Sequence, residues 1–503
     1  MENNKRIAKN TFFLYCRQFI TMAVSLYTVR VILDVLGTVD YGIYNVIGGI
    51  VMLFSFLSNT MSSATQRYLS FELGKEEGQN LKKIFSLSVF SYIILIGIII
   101  IILETVGLWF VNNKLTIPET RIVAANFVYQ SSILSFAITL LAIPYNAAII
   151  AMERMNIYAY ASIVDAIIKL IIAWTLPYIP YDHLKTYSLL MVIAISSVQI
   201  YYIFYCKHYF NFCKYSNAKD KKLLFSMISF ACWNMIGALA NILRGQGLNI
   251  LINLFFTPFV NAAYSIAMQV NNAITNFTNN FYTAVRPQLV KLYASGNKNE
   301  MLQLGYSSST FAFYLILILS VPLITNSDEI LRIWLKDVPS YTVLFLQIII
   351  LSSLIEVLSV PLANMLQASG KIKIYQLTIS ILYLLNIPIS YIFLKLGFNP
   401  EITLWINLSI IIISMIPRLF ICKRVIDLSI KSYIKEVLVK ILKPTIIIYF
   451  LFSPILITYW KNYFNLITLI IIQVVFTISI IFCIGLKQQE RIFIFNKLKE
   501  HIK

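Results

Sequence analysis

Charge is scarce in this sequence. Asp, Glu, Lys and Arg make up 13 % of its 503 residues, against roughly 25 % in an ordinary soluble chain. Hydrophobic residues make up 59 %, too many to be covered by the polar surface available, so a water-soluble globular domain is excluded. Histidine is scarcer still. His183, His208 and His501 are scattered near loops or ends and assemble no catalytic or zinc constellation. Cys16, Cys206, Cys213, Cys232, Cys422 and Cys483 lack metal or disulfide spacing and read as packing residues. No G-x-x-x-x-G-K-[ST] loop is present, so the chain shows no means of hydrolysing ATP. The polar stretches are too short to hold a nucleotide-binding domain, or an outer domain with the paired carboxylates of glycosyl transfer. The expectation is a non-enzyme without cofactor or metal site. Transport against a gradient would draw on an ion gradient, the membrane potential or a partner.

What is present is a series of apolar segments long enough to cross a bilayer. Hydropathy predicts about 14 transmembrane helices, near 11–33, 41–63, 84–110, 122–146, 155–177, 185–206, 225–251, 260–283, 304–326, 341–366, 374–396, 401–422, 438–459 and 463–486. The basic start MENNKRIAKNTFFLYC has no small-residue cleavage site and reads as the edge of a first span. With the N-terminus inside, the outer segments hold only Lys114, Arg121, Lys185, Arg332, Lys336, Lys395 and Lys461. Most other basic residues fall on inner segments, as the positive-inside rule requires, and an even span count puts both termini in the cytoplasm. The net charge of +19 is thereby explained without a nucleic-acid partner.

The chain repeats itself faintly. GTVDYGIYN at 37–45 and SATQRYLS at 63–70 are echoed by VNAAYSIAM at 260–268 and TAVRPQLV at 283–290. An offset of 220 residues pairs Tyr44 with Tyr264, Ala64 with Ala284 and Leu69 with Leu289. Six spans separate the copies, so both have the same orientation. The expected organisation is two parallel six-helix lobes, 1–215 and 216–430, followed by two further helices and a tail over 431–503. Such repeats point to a transporter. Gly37 and Gly42 are expected to bracket a tight outer turn, and Pro444 and Pro454 to kink the thirteenth span.

Charges inside the bilayer cost roughly 2.5 kcal/mol or more and call for a reason. Arg17, Arg30 and Arg244 are candidates for an anion-binding cavity, because a guanidinium fork donates several hydrogen bonds at once. Asn241, Asn249, Gln269 and Asn272 are candidate cavity-lining amides on spans seven and eight. Asp165 with Lys169, Glu104 and Glu356 are candidate ion-coupling groups, the first two spaced to pair on one helical face. Arg418 near the inner end of span twelve is expected to snorkel.

GTVDYGIYNVIGGI followed by SSATQRYLSFELGKEEG, with AVRPQLVKLYASGNKNEM in the second half, resembles the bacterial polysaccharide-biosynthesis exporters. These are the Wzx-like O-antigen repeat-unit flippases of the multidrug, oligosaccharidyl-lipid and polysaccharide exporter superfamily. The resemblance implies two lobes forming a V, alternating access and a bacterial inner (cytoplasmic) membrane. The implied function is flipping of an undecaprenyl-pyrophosphate-linked glycan to the outer leaflet for lipopolysaccharide, capsule or exopolysaccharide assembly. Membrane lipid, a polysaccharide polymerase, a chain-length regulator and coupling protons or sodium ions would be its partners. Two alternatives stay open: a cation-coupled drug or metabolite exporter of the same superfamily, which needs an essential membrane carboxylate, and a cell-wall lipid-precursor flippase.

Overall fold

The computed structural model describes residues 2–52, 54–75, 80–115, 117–216, 220–256, 258–335, 337–453, 460, 463–486, 488 and 491. Gly78, Lys219, Lys336, Pro454, Lys461, Lys487, Lys497, Lys499 and Lys503 lie outside the described residues. By internal contacts the chain divides into two units. One is Met1–Ala238 with Thr283–Gly296, the other Leu239–Tyr282 with Asn297–Lys503.

The first unit contains α1 (Glu2–Met52), α2 (Ser55–Leu73), α3 (Leu81–Ile102), α4 (Leu108–Asn113), α5 (Ile122–Ala151), α6 (Met155–Thr175) and α7 (His183–Tyr209). It also takes in the start of α8 (Lys221–Phe255) and the end of α9 (Pro258–Ala294). α5 packs along α7, α1 along α6, and α2 and α3 against α5. Ile47, Tyr92, Ile99, Val128, Tyr129 and Leu140 form the core between them.

The second unit adds α10 (Lys298–Thr325), α11 (Ser327–Leu335), α12 (Thr342–Glu356), α13 (Ser359–Ser369), α14 (Lys373–Leu384), α15 (Asn386–Lys395) and α16 (Ile402–Ile426). Then come α17 (Ile430–Tyr433), α18 (Val439–Leu451) and α19 (Leu466–Ile480). α16 is the hub on which α12, α13, α14 and α15 pack, while α10 touches α12, α13 and α19.

The all-helical, multi-pass architecture is the expected one. Among the described residues, eleven helices are long and apolar enough to span a membrane, or twelve if a bent pair is one span. That pair is Val39–Met52 with Ser55–Leu73, bent by 44°. Two of the fourteen expected spans do not qualify, each for a visible reason. α9 is 37 residues long but rich in Asn, and the thirteenth carries Lys440 and Lys443 and is described continuously only as far as residue 453. The tight turn expected at GTVDYGIYN is instead a kink inside α1. Gly37 takes φ of 71° there, a conformation open to glycine, and helix continues on both sides.

Prolines and tyrosines explain other breaks. Pro361 has no N–H for the Val357 carbonyl four residues before it. The Tyr282 hydroxyl donates to that carbonyl at 2.7 Å. Pro444 likewise leaves the Lys440 carbonyl unmatched, and the Tyr314 hydroxyl reaches it at 3.1 Å. Two widened helical turns, Leu103–Gly107 and Ile481–Gly485, also receive tyrosines. Tyr129 donates to the Leu103 carbonyl at 2.6 Å, and Tyr314 approaches that of Gly485 at 3.2 Å. A Cβ at Gly107 would sit on the Tyr129 hydroxyl, and one at Gly485 would lie 2.6 Å from the Tyr314 hydroxyl. Inserted side chains of this kind are a known cause of such bulges.

Candidate functional site

The span from Thr342 to Ser369 is broken in its middle. α12 ends at Glu356, and α13 starts at Ser359. The freed carbonyls are capped by side chains, as backbone inside a bilayer must be. Ser359 Oγ donates to Glu356 at 2.6 Å, Tyr282 to Val357 at 2.7 Å and Tyr433 to Leu358 at 3.2 Å. The break therefore holds a defined shape, and Glu356 sits on it.

Around Glu356 four helices converge. Arg244 of α8 donates through Nη2 to both carboxylate oxygens, at 3.0 and 3.3 Å. Tyr383 of α14 donates to Oε1 at 3.2 Å, and its ring lies 4.1 Å below the Arg244 guanidinium. Arg418 of α16 donates to the Tyr383 hydroxyl at 2.7 Å and also to the Tyr375 hydroxyl. The result is a continuous network: Arg244, Glu356, Tyr383, Arg418, Tyr375. Arg418 is 4 % exposed; it does not snorkel, because two tyrosine hydroxyls hold it inside. Arg244 bonds the carboxylate directly, and Arg418 reaches it only through the Tyr383 hydroxyl. The Arg244 side chain is 12 % exposed and that of Glu356 31 %, so the pair is sheltered but reachable. Arg244 Nη1 is buried without a hydrogen-bond partner. Removing one member of such a pair strands the other, at about 3–5 kcal/mol.

The other candidates are placed as follows. Arg17 stacks 4.8 Å over Tyr158, and Arg30 is exposed on α1. Asp165 and Lys169 bond each other at 2.6 Å within α6, and Glu104 accepts from Gln130 at 3.1 Å. On α8 and α9, Asn241, Gln269 and Asn272 are exposed, while Asn249 is half-buried. The structure thus brings together Arg244 with Glu356, and Asp165 with Lys169. Tyr375 and Tyr383 escaped the sequence reading; nothing in the sequence sets them apart from the other tyrosines among the 31 in the chain.

Two networks at the ends of the first unit also escaped it. Arg121 bonds Asp40 through Nε at 2.8 Å and Asp182 through Nη1 at 2.6 Å. Asp182 accepts the Lys185 backbone N–H at 3.1 Å and caps α7. Burial pushes the Asp182 carboxyl up, but that amide and the Arg121 guanidinium outweigh it and hold it below the usual carboxylate range. At the opposite end, buried Glu153 accepts from Gln288 and Lys291, with Arg6 at 3.6 Å. Here the two repeated segments meet. A Cβ on Gly74 would lie 2.5 Å from the Lys291 carbonyl oxygen, and the Phe71 and Tyr293 rings are 6.5 Å apart. A charged residue inside each quoted stretch, Asp40 and Lys291, was the available signal.

A family model described as "Polysaccharide biosynthesis protein" matches residues 7–293, and one described as "MatE" matches residues 235–392. No curated protein matches in sequence. A MATE protein solved in the bent conformation matches with a TM-score of 0.73 at 12 % identity, over 85 % of this chain and 96 % of that one. The MATE transporter ClbM, solved with Rb+, matches at 0.70 and 16 % identity, over 85 % and 96 %. A MOP-superfamily transporter from Pyrococcus furiosus matches at 0.67 and 11 % identity, over 84 % and 96 %. It is described by a binding pocket of reversed polarity that suggests a different function.

These matches establish the fold, an all-helical multi-pass bundle shared with solved transporters. They overturn the narrower expectation of a Wzx-like O-antigen flippase. The solved proteins that share the fold include MATE transporters, and the MatE match covers the segment holding Arg244, Glu356 and Tyr383. The lipopolysaccharide, capsule and lipid-linked glycan roles fall with that expectation. The physical reason is that the quoted motifs govern how helices kink and pack, as at Gly37 and Gly74, and carry no information about cargo.

Proposed function

The chain belongs to the polysaccharide biosynthesis protein family, and from that premise we propose that it is a cation-coupled exporter of small molecules in a bacterial inner membrane. One observation carries this reading: Glu356, a carboxylate on a broken span, is held by a guanidinium and a tyrosine hydroxyl yet keeps about a third of its side chain open. Broken spans are where secondary transporters place coupling ions, because freed backbone and side-chain oxygens converge there. ClbM, which shares the fold, was solved with Rb+.

In this reading Glu356 exchanges partners. With no coupling ion bound, Arg244 neutralises it. A proton or monovalent cation arriving at Glu356 releases Arg244, which then has Nη1 and Nη2 both to satisfy. The helices carrying these two groups are thereby loosened from each other, and a change of bound cation becomes a change of helix packing. Glu104 and the Asp165–Lys169 pair have no comparable partner exchange to offer; the latter is neutral within a single helix. The repeat lobes at 1–215 and 216–430, with 431–503 appended, are the evolutionary units of this proposal.

The test is cation binding and cation flux in purified protein. In proteoliposomes, a proton or sodium gradient should drive export by wild type and fail to drive it in Glu356→Gln. Arg244→Ala should bind the coupling cation more tightly than wild type, since the competing guanidinium is gone. Gradient-driven export by folded Glu356→Gln would overturn the proposal.

A further inference from the structure

On α9, Gln269, Asn272 and Asn276 follow each other at three- and four-residue spacing and form one row about 10 Å long. All three are exposed. None of the three side-chain amides bonds another described residue. Some exposed asparagines elsewhere turn back on their own helix. Asn45 turns back to the Tyr41 carbonyl at 3.0 Å, Asn112 to Leu108 at 3.0 Å and Asn113 to Trp109 at 2.9 Å. The opposite side of α9 is built to pack: Tyr264, Ala267, Ile274, Thr278 and Tyr282 are buried. Asn271, on that packed side, accepts from Ser353 at 2.7 Å, one turn before Glu356. The row therefore runs along a firmly held helix, on the face turned away from that contact.

Unpaired primary amides do not face lipid tails, because each would leave donors and acceptors unmet. A row of them on a helix packed among membrane spans marks a hydrated surface. Its chemistry is specific. Each amide donates and accepts, and none carries charge. An organic cation meets no opposite charge there. A neutral solute with several hydroxyl or amide groups finds matched partners along its length.

Resting on the exporter reading above, we infer that Gln269, Asn272 and Asn276 form the cargo track, and that the cargo is an uncharged small molecule rich in hydroxyl or amide groups.

Ala273 is exposed beside the row and allows a test that leaves every amide in place. Ala273→Cys in a background without the six native cysteines is treated with a membrane-impermeant thiosulfonate. Leu254→Cys, exposed on α8 at an apolar position, serves as the lipid-facing control. Labelling of Ala273→Cys but not the control is expected. Maltotriose, a neutral polyol, should slow that labelling, and tetraphenylphosphonium, a lipophilic cation, should not. Adding Asn272→Leu and Asn276→Leu should raise the maltotriose concentration needed by about tenfold. No labelling would place the row in lipid and overturn the inference. Protection by the cation alone, or by neither probe, would overturn the cargo class. The same assay in Glu356→Gln separates the two readings: lost gradient coupling with maltotriose protection retained leaves both standing, and retained coupling removes only the coupling proposal.

Discussion

The two units place their larger ionic networks differently. In the first, the ionic networks that tie different helices together lie at the ends: Arg121 with Asp40 and Asp182 at one, Glu153 with Lys291 and Arg6 at the other. In its middle, Asp165 and Lys169 cancel inside one helix. In the second unit, the network that joins α8, α12, α14 and α16 lies within the spans, beside a broken helix. End networks clamp helices where water and loops can share the electrostatic load. A buried network has no such help, so its members depend on one another and respond together when one changes its charge. The first unit reads as clamped and the second as switchable.

Breaking the buried network should have the largest effect. Glu356→Ala leaves Arg244 without its carboxylate and should destabilise the second unit by about 3–5 kcal/mol, seen as a fall in Tm in detergent. Arg244→Met with Glu356→Gln should recover most of that stability while leaving transport uncoupled. If the double variant is as unstable as Glu356→Ala, the pair is not the source of the cost.

The contrast sharpens at the clamps. Arg121→Ala removes hydrogen bonds to two carboxylates that are only partly sheltered and should cost about 2 kcal/mol. Gradient-driven export per folded molecule should stay unchanged. A loss of coupling would show that the first unit is not a passive clamp. Gly107→Ala and Gly485→Ala each force a methyl against a tyrosine hydroxyl and should cost about 1–3 kcal/mol by overpacking. Tyr129→Phe, which opens that contact at Gly107, should tolerate Gly107→Ala better than wild type does.

The smallest effect is a pH dependence. The Asp182 carboxyl is held below its usual value when folded. Its contribution is therefore complete above the unfolded value of about 3.9 and is lost as pH falls through the lower folded value. Protease sensitivity at residues 178–185 should rise below about pH 4, and Asp182→Asn should show the raised sensitivity at neutral pH.

Much of the fold was legible in the sequence. Spans of Ile, Leu and Phe announce themselves because lipid imposes a length and a composition on each helix separately. The Pro361 break carried its own signal, the missing N–H, although nothing in the sequence says that Tyr282 meets the freed carbonyl 75 residues away in the chain. The site was half legible. Arg244 and Glu356 stood out as charges in apolar segments, but they are 112 residues apart, and each was read for a different role. Asp40 and Glu153 are single charges at helix ends, and their partners lie 81 and 138 residues away in the chain.

What the sequence determined by itself is local: helical periodicity, bilayer length, the glycine at Gly37 that alone accepts the kink, and which residues are too polar for lipid. What the tertiary structure decided is partnership. A guanidinium, a carboxylate and a tyrosine are equally costly in hydrocarbon wherever they occur along the chain. Whether they form an ion-exchange site depends on helix packing that brings them within hydrogen-bonding distance, and that packing is summed over the whole bundle rather than written at any one position.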